Sequence, residues 1–293
     1  MKRVLLFLAT NIAVMITLGI VANVLCLFLG TSVAELVGPE YANLAIFAFV
    51  YGVVGAFISL LLSKPIAKFS CGAKTIDGSE GEAERWLVAT VEDLARRANL
   101  ATPEVAIYPG AANAFATGAF RNHALVAVST DIMSQMTREE LRAVLGHEIS
   151  HVANGDMVTL TLVQGVLNAF VIFFSRVIAS VLAGSERGGR RNSNAGMYML
   201  FVFAFEIAFG LLASLVVFAF SRRREYAADA GSANLLGSPS SMIAALRRLG
   251  NLQPGVLPNS LRAFGIAGSR KTSLWSTHPS IEDRIAALEG RAV

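Results

Sequence analysis

Apolar residues in this chain gather into four long runs, near Val4 to Leu29, Leu44 to Leu62, Met157 to Ala183 and Ala195 to Phe220. A bilayer core of about 30 Å is crossed by about 20 apolar residues in a helix, so each run predicts a transmembrane helix. The pattern changes between the second and third runs. From Glu80 to Leu100, Trp86, Leu87, Val91 and Leu94 recur at helical spacing with charges on the opposite face, predicting an amphipathic helix. Three β-rich runs follow, Glu104 to Tyr108, Asn113 to Phe120 and Ala124 to Ser129, the last two joined by a turn at Arg121, Asn122 and His123. Thr137 then stands at capping-box spacing before Glu140 and opens a helix through Leu141, Val144 and Leu145 to Asn154. Beyond the fourth run the spacing predicts a polar helix from Arg222, another near Ser240 to Leu249, a loop containing proline and glycine, and a last helix opened by Pro279. No internal repeat interrupts this order.

Composition and charge agree with a membrane protein. Of the 293 residues, 54% are hydrophobic and only 16% charged, which excludes an ordinary soluble protein. The first run follows Lys2 and Arg3 like a secretory signal, but it is longer than a signal's apolar region and leads directly into a second span, so it reads as a retained helix. Lysines and arginines before the first span, at Lys64, Lys68 and Lys74 after the second, and at Arg222, Arg223 and Arg224 after the fourth place the N-terminus and these segments in the cytoplasm. Arg187, Arg190 and Arg191 in the loop between the third and fourth runs run against that rule, although a short basic loop rich in glycine can still be translocated. The expected organisation is an N-terminal transmembrane hairpin at 1–64 and a cytoplasmic α+β domain with a small β-sheet at 65–293, interrupted by a second transmembrane hairpin at about 157–220. Cys26 and Cys71 fall in different environments, which argues against a disulfide. The net charge of +4 concentrates near span ends, where it favours anionic lipid head groups, and nothing points to nucleic acid.

The chemistry lies on the capped helix. His147-Glu148-Ile149-Ser150-His151 matches H-E-x-x-H, in which two imidazoles four apart share one helix face and can hold one zinc ion, with the glutamate beside the metal. A catalytic zinc takes three protein ligands and leaves one position open, so a third donor must come from elsewhere. Met157 stands where a metzincin would place its histidine, and Glu206 lies deep in an apolar run. Glu225 is better placed, because two membrane crossings return the chain to the side of His151. Asp229, four residues further on, is expected to orient a histidine N–H.

With Ser221-Arg222-Arg223-Arg224-Glu225-Tyr226-Ala227-Ala228-Asp229 added to the H-E-x-x-H run, the sequence resembles the HtpX family of bacterial membrane metalloproteases, related to the CAAX prenyl proteases. Asn113-Ala114-Phe115-Ala116-Thr117-Gly118 and Thr277-His278-Pro279 followed by Arg284 extend the match over nearly the whole chain. The resemblance implies a zincin-like gluzincin site with one Zn2+ on His147, His151 and Glu225, and Glu148 as catalytic base. It also implies a stress-response protease of the bacterial inner membrane that cuts misfolded or damaged membrane proteins at the cytoplasmic face, alongside other membrane proteases.

The remaining candidates rest more heavily on that likeness. His278 reads equally as a capping histidine before Pro279 and as a donor to the tetrahedral intermediate, and the resemblance favours the donor. Arg284 is a candidate support for His278 or a site carboxylate. Asn113, Ala114, Phe115 and Ala116 form a strand that, by the resemblance, holds the extended substrate. His123 reads as an exposed turn residue. Arg176 and Glu206 in apolar runs require pairing, a wet cavity or an interfacial position, and Gln164 and Asn168 form a polar stripe. Competing readings are a prenyl-peptide processing protease, a non-catalytic membrane adaptor that keeps the metal helix as scaffold, and a carrier built around Glu206 and Arg176.

Overall fold

The structure is a computed structural model that describes residues 39–183, 195–252, 266 and 276–290. The first predicted span with Cys26, the basic loop around Arg187 to Arg191 and most of the loop after Leu252 lie outside these residues. Three helical segments among the described residues are long and apolar enough to cross a membrane: Asn43–Leu61, Asp156–Leu182 and Ala195–Leu236. They correspond to the second, third and fourth predicted spans.

The described chain forms two compact units. One holds the described residues up to Ile58 together with 161–217. Here helix α1 (Pro39–Phe49), a π-helical turn at Val50–Val54 and the first residues of α2 (Gly55–Leu61) run end to end. Gly52 in that turn lies against α7 (Asp156–Leu182) so closely that a Cβ on it would come within 2.5 Å of the Ala169 backbone nitrogen. Arg176 donates to Glu206 across 2.8 Å, which satisfies the pairing that an ionised side chain in an apolar helix requires. Gln164 donates to Asn168 on the same helix at 2.8 Å.

The second unit, Ser59–Leu160 and the chain from Phe218 onward, contains a four-stranded sheet flanked by helices. Helix α3 (Ser63–Cys71) leads into β1 (Lys74–Ile76), a strand too short and polar to register in the sequence pattern, and α4 (Glu82–Arg97) follows. Strands β2 (Glu104–Tyr108), β3 (Ala114–Thr117) and β4 (Leu125–Ser129) complete a sheet of order β1-β2-β4-β3, with β2 parallel and β3 antiparallel to β4. Every residue of β3 and β4 is buried, because both sheet faces are covered. Phe115, Leu125 and Ala127 pack with Ala67 of α3 on one face, and Ala114, Ala116, Val126 and Val128 join Leu87, Val91, Val144 and Ile149 of the helices on the other.

A short helix α5 (Thr130–Gln135) precedes α6 (Arg138–Asn154). The expected capping box is present: Thr137 Oγ1 accepts from the Glu140 N–H and Glu140 reaches back to the Thr137 N–H, while Gly155 closes the helix in the left-handed region at φ 67°. The separate polar helix expected from Arg222 is instead the continuation of the fourth apolar run, one unbroken α8 (Ala195–Leu236). Nothing between Phe220 and Arg222 breaks a helix, so the change from apolar to charged residues marks a change of surroundings rather than of backbone. Helices α9 (Ser240–Asn251) and α10 (Ile281–Glu289) pack against the second unit's core through Met242, Leu246, Ile281 and Leu288.

Candidate metal centre

Helices α6 and α8 meet along a seam of small residues. A Cβ on Gly146 would stand 2.8 Å from Ser232 Oγ, and Gly231 faces Ser150 with no more room. Ser232 Oγ donates to the Ala143 carbonyl at 2.7 Å, and Ser150 Oγ to that of Gly146 at 2.7 Å, so each hydroxyl is satisfied inside the contact. This close approach carries Glu225 to the histidine face of α6, and the glycine immediately before His147 is what permits it.

His147 Nε2 and His151 Nε2 are 3.0 Å apart, and Glu225 oxygens lie 3.5 Å from the first and 3.3 Å from the second. Among the described residues these three form the one group of histidine, cysteine, aspartate or glutamate donors close enough to share a metal, all within 4.8 Å of one another. Ligands at about 2.0–2.1 Å from a tetrahedral zinc are separated by roughly 3.3 Å, and each histidine Nε2 has one Glu225 oxygen near that distance, Oε2 for His147 and Oε1 for His151.

The far side of each histidine is held by a carboxylate. His147 Nδ1 lies 2.9 Å from Asp229 Oδ1, and Arg284 grips Asp229 with a two-pronged contact, Nε to Oδ2 at 2.8 Å and Nη2 to Oδ1 at 2.6 Å. His151 Nδ1 lies 2.7 Å from Asp156 Oδ2, and Arg224 Nε stands 3.2 Å from the other oxygen of Asp156. An Nδ1–H donated to a carboxylate fixes the tautomer that turns the Nε2 lone pair toward a metal. The structure brings Asp229 and Arg284, both singled out from sequence, together beside His147, and adds Asp156 and Arg224, which the sequence reading did not single out as site residues. Their signal was weak: Asp156 reads as a helix-opening acid after Gly155, and Arg224 as one of three arginines at a span end.

Buried carboxylates crowd the cluster. Glu148, Glu225, Asp229 and Asp156 are all buried, and the guanidinium groups of Arg284 and Arg224 offset only part of their negative charge. Burial opposes charge on His147 and His151, yet the carboxylates beside them raise both, His151 to about 10. Burial pushes Glu148 up to about 7, offset in part by His147, His151 and the Ala116 backbone of β3. Buried Arg284 is held above its ordinary value by Asp229, despite its burial.

Sequence-expected residues from other elements also reach this cluster. His278 is buried with Nδ1 3.0 Å from Glu225 Oε2, and its Nε2 has no hydrogen-bond partner among the described residues. Arg222 donates to the Ser276 carbonyl at 2.9 Å and Ser276 Oγ to that of His278 at 2.6 Å, tying the His278 loop to α8. Strand β3 is an edge strand. Because the Asn113 carbonyl accepts from the Ser129 N–H, the alternation of an antiparallel ladder turns the backbone groups of Ala114 and Ala116 away from β4. The Ala114 carbonyl accepts from the Ile266 N–H at 3.2 Å, and Asn113 Oδ1 accepts from the N–H groups of Ala114 and Ile266. The Phe115 ring packs on Tyr108, 5.5 Å between centroids. His123 is exposed in the β3–β4 turn, away from the cluster.

Comparison with known proteins agrees with this arrangement. Residues 82–292 match the sequence profile of Peptidase family M48. The chain is 52% identical over 297 residues to a Protease HtpX homolog of Verminephrobacter eiseniae, covering 99% of this chain and 98% of that one. It is 51% identical over 292 residues to a Protease HtpX homolog of Bordetella petrii, with the same coverage. Among solved structures, Ste24p of S. mikatae shares the fold with a TM-score of 0.56 at 18% identity, over 96% of this chain and 66% of that chain. A membrane metalloprotease related to HtpX is what the motifs implied, and the chain belongs to peptidase family M48.

Proposed function

We propose that this protein is a zinc endopeptidase of the bacterial inner membrane that hydrolyses peptide bonds of misfolded or damaged membrane proteins at the cytoplasmic face. The observation that carries the reading is the clustering of His147 Nε2, His151 Nε2 and the Glu225 carboxylate within 4.8 Å of one another, with Glu148 next to His147 in the same helix. These three residues would hold the zinc, with Asp229 and Asp156 setting the histidine tautomers. A zinc ion bound there supplies Lewis acidity and brings a water's pKa toward about 7.

Glu148 takes a proton from the attacking water and later passes it to the leaving amine. Its burial suits the task, because a carboxylate held near neutrality can both accept and return a proton. His278, through Nε2, donates to the oxygen that becomes negative in the tetrahedral intermediate. The substrate lies extended along β3, paired with the outward backbone groups of Ala116, while the Asn113 side chain and Ala114 brace the start of the strand. Cytoplasmic action follows from the lysines and arginines at the span ends.

The test is hydrolysis of unfolded membrane and soluble substrates by purified full-length protein, with zinc measured on the same preparation. Glu148→Gln should retain zinc and lose cleavage. Full cleavage by that variant would remove Glu148 from the mechanism, and unchanged zinc content in Glu225→Ala would remove the third ligand.

A further inference from the structure

Helix α3 carries an apolar stripe that stands exposed among the described residues. Leu62, at its N-cap, Ile66 and Phe69 are 49%, 39% and 91% exposed, and their spacing of four and three residues places them on one face. The opposite face is the one that packs on the sheet: Ala67 is fully buried and Cys71 sits beside it against the cluster of Phe115, Leu125 and Ala127. Lys64 and Lys68, four apart, stand together on one flank of the helix, each 2.6 Å from a Glu104 oxygen, and Lys74 is exposed just beyond the helix. A helix that used its apolar residues only for folding would bury Phe69 and expose Ala67. This helix does the reverse.

We infer that α3 lies in the interfacial layer of the bilayer, with Leu62, Ile66 and Phe69 inserted at the boundary between head groups and acyl chains. Chain continuity selects this occupant. The span Asn43–Leu61 ends one residue before Leu62, and at about 3.5 Å per residue the start of α3 cannot be far from where the chain leaves the hydrocarbon. Exposed apolar side chains continue past the end of the span at Leu61, Leu62, Ile66 and Phe69. Helices of this kind sink their apolar face about 5–10 Å into the interface while lysines remain at head-group level. The consequence is mechanical: α3 packs through Ala67 on the face of the sheet that includes β3, so the interface anchors the sheet from one side.

The test uses the full-length chain with Cys26→Ser and Cys71→Ala, reconstituted in bilayers of phosphatidylcholine and phosphatidylglycerol. A nitroxide is attached at Phe69→Cys, at Ile66→Cys and, as an aqueous reference on the same unit, at exposed Asp77→Cys. Collisions with oxygen, which concentrates in lipid, and with a water-soluble nickel chelate are then compared. At 69 and 66 oxygen collisions should exceed those at 77 several-fold while chelate collisions fall by a similar factor, at low protein-to-lipid ratio and without substrate. Equal chelate access at 69 and 77 would overturn the inference. Shielding at 69 that appears only on raising the protein-to-lipid ratio, or only on adding an unfolded substrate, would also overturn it and assign the stripe to a second copy or to substrate. Zinc content and soluble-substrate hydrolysis of the labelled proteins, measured in parallel, separate misfolding from misplacement.

Discussion

Two arginine–carboxylate pairs involving α10 allow burial to be isolated as the variable. Arg284 is 0% exposed and meets Asp229, whereas Arg247 meets Glu289 at 3.2 Å with side chains 64% and 55% exposed. Replacing Arg284 by alanine leaves the Asp229 carboxylate buried, with His147 Nδ1 as its remaining close side-chain partner. Breaking a buried pair in this way costs about 3–5 kcal/mol. A unit of this size loses about 2–4 °C in melting temperature per kcal/mol, so Arg284→Ala should lower it by on the order of 10 °C. Arg284→Lys keeps the charge but not the two-pronged contact, and should fall between, at about 1–3 kcal/mol. Arg247→Ala removes an exposed pair worth about 0–1 kcal/mol and should shift melting by only about 2 °C. The assay is tryptophan fluorescence of full-length protein in nanodiscs, heated at one fixed scan rate because membrane proteins seldom unfold reversibly. Zinc is kept equal across samples, since a bound ion stabilises by mass action. If Arg284→Ala melts together with Arg247→Ala, the argument from burial is wrong.

Other outcomes follow from the same geometry. Glu148→Gln should lower kcat by at least about 10²-fold with zinc content unchanged. Because the base must be ionised, activity should fall as pH drops through its pKa; burial sets that value at about 7 and a bound cation lowers it, so the acidic limb of kcat/KM should lie no higher than about pH 7, and a midpoint near 8 would contradict the assignment. His278→Ala should reduce kcat about 10²- to 10³-fold with little change in KM, as loss of an oxyanion donor does, and a pure KM effect would reassign it to substrate binding. Gly231→Leu should separate α8 from α6 and reduce zinc occupancy while secondary structure persists in circular dichroism; full occupancy would show that the small-residue seam does not set the site.

What could be read from the chain alone followed from local rules. Helical periodicity fixes the span lengths, capping chemistry starts α6 at Thr137, and a four-residue spacing points His147 and His151 the same way, because each depends on residues within a few turns of one another. Asp229 was also legible, since it repeats the same spacing from Glu225. Asp156 and Arg224 were not: one looks like an ordinary first-turn acid and the other like a span-end cation, and their meeting at His151 depends on how α7 begins relative to α8. The continuity of α8 through Phe220 was likewise hidden, because a hydropathy pattern reports surroundings, not backbone breaks.

The sequence by itself determined that this is a multi-span membrane protein carrying an H-E-x-x-H helix, since hydrophobic length and side-chain periodicity are properties of the chain. Only the tertiary structure decided how close Glu225 stands to His147 and His151, that each histidine has its own carboxylate and arginine, and that Phe69 rather than Ala67 faces outward from α3. Those outcomes depend on the distance between segments far apart in sequence. That distance is set by packing, here by two glycines and two serines where α6 crosses α8, and by the sheet that gives α3 its buried side.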